Sequence, residues 1–199
     1  MSEGAGAEGS LDLDTRLGWP RDLLWLFDRY PRAVWPSHAN LGEMTRFWLS
    51  VHEQFRQLGM ALTKANADLR EGTLSPADYR LWYPRRLNRF LGGLESHHTI
   101  EDVQFFPLLG GIETRLRRGF DVLEGDHGAI HGAMTTAFES AEVLLRAAET
   151  DDAALSRFAE GHATDGDRLL RLLDRHLEDE EDLIVPIILD RGEQAMGFG

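Results

Sequence analysis

Histidine and glutamate recur in this sequence at the spacing that sets two side chains on one face of a helix. His97 and Glu101 stand four residues apart in LESHHTIEDVQFFP, and His176 and Glu180 repeat that spacing in HLEDEEDLIVP. Between them, DHGAIH puts His127 and His131 four apart, and a single His52 precedes all three pairs. On an α-helix such partners are separated by about 40° around the axis, so both can reach one metal ion. Imidazole and carboxylate without thiolate suit iron, manganese or zinc rather than copper(I) or calcium. Seven donors are too many for one tetrahedral zinc, whereas two ions sharing two carboxylates need about that many. Five histidines divided three and two would leave one ion with an open position, at which a small diatomic ligand could bind or be reduced.

Each pair alone is a weak signal. Random placement of the chain's histidines and glutamates would give about 0.7 His-x-x-x-Glu and about 0.3 His-x-x-x-His pairs. The sequence has two and one. More telling is that each pair falls on the apolar stripe of a different predicted helix. A carboxylate there costs several kcal/mol unless a cation or a dense hydrogen-bond network meets it, so Glu101 and Glu180 demand a partner. Three histidines read otherwise. His38 lies ahead of the first helix. His98 is turned about 100° from His97 and would make at most an outer contact. His162 lies about 21 Å along its helix from His176 and reads as a polar core residue.

The elements that must position these groups are four helices. Asn40 and Glu43 have capping-box spacing, predicting a first long helix from about Asn40 to just before Gly72. Its stripe runs Leu41, Trp48, His52, Phe55, Leu62, Leu69. Ser75-Pro76 opens a second helix, with a kink or restart expected at Pro84 and an end or bend at Pro107. A third runs from about 113 to 149 with Phe120, Leu123, His127, His131, Met134 and Phe138 inward. The Asp151-Asp152 cap opens a fourth, which reaches about Leu189 before Gly192. No stretch alternates like a strand. The expected fold is all-α, an up-down-up-down four-helix bundle with an N-terminal arm. Residues 1–36 read as that arm, disordered over the first ten and with a short helix near 21–29; 37–192 form the bundle and 193–199 a tail. From His52 to the turn near Thr73 is roughly 31 Å of helix, and the way back to His97 is nearly the same, so the two histidines should meet.

Composition bounds the rest. A net charge of −13 argues against nucleic acid or an anionic membrane surface as partner. No run is long enough for a membrane span, no signal pattern opens the chain, and the absence of cysteine removes thiolate sites and disulfides, so cytoplasm is the default expectation. Apart from Glu180, the run Glu178–Asp182 reads as a solvated helix face.

His52, the two His-x-x-x-Glu pairs each followed by a proline (FFP and IVP), and His127-x-x-x-His131 together resemble the hemerythrin family and its bacterial relatives, the HHE cation-binding domains. The resemblance covers roughly residues 38–190. It implies two non-haem irons: His127, His131 and His176 on one, His52 and His97 on the other, Glu101 and Glu180 bridging together with an oxo or hydroxo group. Oxygen-carrying members place an aspartate five residues after the last histidine; here that position is Glu181, and Glu180 at four residues follows the HHE pattern. The implied function is binding or sensing of dioxygen or a related small ligand. Alternatives are an enzyme decomposing peroxide or reducing nitric oxide, with His98 or Tyr83 as proton donor, and a structural or iron-handling bundle. A ferritin-like site would use Glu95-x-x-His98 and Glu124-x-x-His127, but it leaves His52, His131 and His176 unexplained. Trp48 and Phe55, one turn either side of His52, are expected to wall the open position.

Overall fold

Four long amphipathic stretches become four long helices, α2 (Glu43–Arg70), α3 (Pro76–Ile100), α5 (Arg117–Ala147) and α6 (Asp152–Arg191). They are preceded by a short α1 (Trp25–Arg29) and a 3-10 turn (Arg32–Ser37), and a short α4 (Phe106–Ile112) lies between α3 and α5. The computed structural model describes residues 10–147 and 152–197, and among these the chain is an all-α helical bundle without strands. The disorder expected of the first residues and the cap expected at Asp151 fall outside that range.

Local chemistry sets the helix ends. Ser75 accepts from Asp78 N at 3.1 Å with Pro76 in the first turn, a cap worth about 1 kcal/mol. Asn40 does not open α2. Its amide donates to Leu189 O at 2.8 Å, and the helix starts at Glu43 with its first turn capped by Glu193, which accepts from Thr45 N at 2.7 Å. Gly42 allows this approach, because a Cβ there would overlap the Glu193 carboxylate. Gly72 and Gly192, both at positive φ, follow the C-termini of α2 and α6.

Of the kink or restart expected at Pro84, the restart does not occur, and α3 runs through it to Ile100. The carbonyl that Pro84 deprives of a donor belongs to exposed Arg80 and can turn to water. The irregularity comes later, as a π-helical turn at Glu101–Phe105 just before Pro107, whose missing N–H denies Val103 its usual partner.

The chain divides into two compact units. The first comprises Met1–Ser50, Asp102–Asp126 and Arg175–Gly199, the second Val51–Glu101 and His127–Asp174. In the first, Trp19, Leu23 and Leu26 of the arm pack with Phe106, Phe120 and Ile187, while Trp35 and Leu41 pack with Val185 and Leu189. Covered on both sides, the LIVPIIL end of α6 is apolar all round. The second unit is filled by Phe55, Leu62, Leu87, Phe90, Leu94, Ile130, Leu169 and Leu173.

Candidate metal centre

In the second unit, α2 carries His52 and α3 carries His97 to a meeting point, Nε2 to Nε2 at 3.0 Å, as the equal helix lengths either side of the turn require. Glu101, the first residue of the π-helical turn and 1% exposed, sends Oε1 to His97 Nε2 at 3.0 Å and Oε2 toward His127 Nε2 at 3.7 Å. One buried carboxylate thus spreads its two oxygens over histidines of two different helices. His52, His97 and Glu101 offer ligand atoms all within 4.8 Å of one another. Phe55 lies against the His97 ring at 5.2 Å, and Gly93 makes room for it, since a Cβ there would come within 3.2 Å of the Phe55 ring.

The histidine that joins His127 is His98, not His131. The two rings stack at 4.0 Å and 10°, and both residues are buried. The side chain of His131 is 60% exposed and pairs with Glu95 at 2.9 Å. Helix geometry explains the exchange. On α5 the buried positions Leu123, Asp126, Ile130, Ala133 and Ala137 centre to one side of His127, and His131 is turned about 40° the other way, out of the interior. On α3 the buried arc centres on Leu94, and His97 and His98 lie about 60° and about 40° to either side of it, so both face inward. The expectations that His131 faces the interior and that His98 stays outside it are both corrected. The ferritin-like pattern loses its carboxylates as well, because Glu95 and Glu124 are exposed.

In the first unit, His176 and Glu180 are fully buried one turn apart on α6, with Nε2 to Oε2 at 3.6 Å. His176 Nδ1 faces Asp126 Oδ2 at 3.4 Å, a carboxylate–histidine pair that leaves Nε2 for a cation. Burial opposes the charge on Asp126, but hydrogen bonds from His176 and Arg16, and their charges, outweigh it and hold the carboxyl below the usual range. The acidic run proves not to be a solvated face. Asp179 and Glu181 are buried, and Arg32 donates to Glu181 Oε2 at 2.7 Å and Asp182 Oδ1 at 2.8 Å. Glu181, the residue at oxygen-carrier spacing, is therefore committed to the arm, while Glu180 lies beside the histidine. Trp48, expected to wall the site, packs against the cores of this unit.

His162 behaves as expected of a core residue. It is 1% exposed and bonded to Tyr83 Oη at 2.6 Å and Ser140 Oγ at 2.9 Å.

Three helices, with the π-helical turn that follows α3, thus supply a shared carboxylate and facing imidazoles in one unit, and α6 supplies a buried His–Glu pair in the other. This donor set fits a divalent or trivalent first-row metal. A model of the Hemerythrin HHE cation binding domain matches residues 43–188, which takes in every one of these groups and leaves the arm outside. The chain is also similar to part of the genome polyprotein of Ectropis obliqua picorna-like virus, at 27% identity over 143 residues; the match covers 64% of this chain and 4% of that polyprotein. No solved structure matches. With the family match spanning α2 to the last turn of α6, the chain belongs to the hemerythrin HHE cation-binding domain family.

Proposed function

We propose that this protein holds two non-haem irons and binds or senses dioxygen or a related small ligand at an open iron position. The observation that supports it most is Glu101, buried, with one oxygen at His97 and the other toward His127. That is the disposition of a carboxylate shared by two ions. In this reading His98 and His127 serve one ion, His52 and His97 the other, and Glu101 the pair; His176 and Glu180, buried one turn apart in the first unit, are proposed as ligands on their sequence spacing. The iron pair would supply the electrons for reversible ligand binding. The chain's part is to fix the donors and to keep the two-histidine side dry, which Phe55 does from α2.

Binding is favoured over turnover by the state of both expected proton donors, since His98 is stacked on His127 and read as a ligand. Burial pushes the Tyr83 phenol up to about 12, and its hydroxyl is already engaged with His162. Iron analysis with azide titration of the oxidised full-length chain tests the proposal. The expected result is two irons per chain, a new charge-transfer band with azide, and no sustained turnover of peroxide or nitric oxide. Rapid turnover would favour the enzyme reading, and exclusive retention of zinc after loading with both metals would overturn the proposal.

A further inference from the structure

The arm lies outside the family match, yet among its described residues the most buried charge is paired with the carboxylate that faces a proposed ligand. Arg16 is 3% exposed in a protein of net charge −13. Its Nε donates to Asp179 Oδ2 at 2.7 Å, its Nη1 to Asp126 Oδ1 at 3.2 Å and Leu11 O at 2.8 Å, and its Nη2 to Asp126 Oδ2. That same Asp126 oxygen faces His176 Nδ1. Trp19, whose indole N–H donates to Asp179 O at 2.8 Å, lies beneath the guanidinium at 4.9 Å. Gly18, at φ 147°, permits the turn that lets Arg16 and Trp19 reach α6 together, since side-chain-bearing residues rarely adopt that conformation.

A buried arginine in this fork geometry does more than fasten the arm. The Asp126 carboxylate facing Nδ1 of a metal-binding histidine would make its imidazole strongly electron-donating. The Arg16 guanidinium, forked onto Asp126 and tied to Asp179, which Arg175 also holds, offsets that charge and fixes the ring's orientation. We infer that Arg16 is a positioning residue of the metal centre, acting through Asp126 on His176, so that docking of residues 11–19 sets how tightly the ion at His176 is held and its reduction potential. The inference rests on the di-iron reading above.

The charges predict shifts of opposite sign. Loss of a cation favours the ferric state, so Arg16→Met should lower the midpoint potential. Loss of an anion disfavours that state, so Asp126→Asn should raise it. Both variants should retain the ion less well, by about 10- to 100-fold, as for other changes to the partners of metal-bound histidines. Arg16→Lys should recover the potential more than the retention, because it restores charge without the fork. Arg32→Met is the control, since that guanidinium is 42% exposed and meets Glu181 and Asp182 instead; it should leave the potential near wild type.

The experiment is redox titration and timed chelator challenge of the iron-loaded full chain and these variants, with apo-protein melting recorded alongside. Opposite potential shifts for Arg16→Met and Asp126→Asn support the inference. If Arg16→Met does not fold, a raised potential in Asp126→Asn together with weakened retention at near-wild-type potential in Arg16→Lys supports the inference, and wild-type retention in Arg16→Lys overturns it. Shifts of the same sign, or altered melting with unaltered potential and retention, overturn it and leave Arg16 a structural anchor. Wild-type protein that takes up no iron overturns the di-iron reading and this inference with it.

Discussion

Two histidine clusters share the interior of the second unit and solve opposite problems. Around His162 every proton has an acceptor. Ser140 Oγ donates to Ala137 O and so accepts from His162 Nδ1; Nε2 then accepts from Tyr83. Tyr83 Oη accepts from Asn66 Nδ2, and Asn66 Oδ1 accepts from Tyr79. The network closes on itself with neutral groups only. Around Glu101, by contrast, two imidazole Nε2 atoms and a carboxylate oxygen converge within about hydrogen-bond distance. A cation placed among the three could take a lone pair from each, as the proposed centre requires. Burial of histidine is common to both clusters, so burial alone does not distinguish them; the convergence on a shared carboxylate does.

The sharpest way to break this comparison is to exchange histidines. His98→Ala should lose one of two irons and His131→Ala neither, because one is buried against His127 and the other exposed. Metal analysis of both variants decides it, and the reverse pattern would return His131 to the site.

That exchange also shows how far the sequence could be read. The four helices, the Ser75 cap and the meeting of His52 with His97 follow from periodicity, turn residues and helix length. The distinction between His98 and His131 does not, because it depends on where the buried arc of each helix is centred. On α5 the apolar and small residues at 130, 133 and 137 rotate the arc away from His131. The arm was legible only as a segment with a short helix near 21–29, where α1 lies. Arg16 and Arg32 gave no signal, since their partners at Asp126, Asp179 and Glu181 are more than a hundred residues away.

Replacing aromatic residues separates support from access. Phe120→Ala, in the core of the first unit, should cost about 3–5 kcal/mol of stability and leave the azide-binding rate unchanged. Phe55→Ala should accelerate azide binding and autoxidation while leaving iron content unchanged. Equal rate effects from the two would remove Phe55 from its place at the open position.

The neutral cluster carries a pH signature. Burial lowers the His162 imidazole to about 4 from 6.5. A lowered folded-state value means that its contribution is complete above pH 6.5 and lost as pH falls toward 4. The full effect is about 3 kcal/mol. Asp182, raised to about 6 chiefly by burial, acts in the opposite sense, its contribution being lost as pH rises through that value. It is common to both proteins in a comparison of apo wild type with apo His162→Gln. Denaturant midpoints should therefore converge as pH falls from 6.5 to 4, and parallel curves would refute the assignment.

The smallest expected effect is at Gly93. Adding a methyl 3.2 Å from the Phe55 ring in Gly93→Ala should displace it by a few tenths of an ångström and change azide entry only a few-fold, without loss of iron. A variant indistinguishable from wild type would show that this contact does not govern access.

Low-temperature Mössbauer spectroscopy of the oxidised, iron-57-loaded chain addresses Glu101 most directly. Two irons held side by side by Glu101 predict a magnetically coupled ferric pair, two irons per chain, with the pair, and so the coupling, lost in Glu101→Ala. Two magnetically isolated ferric ions, or a single iron per chain, would contradict it.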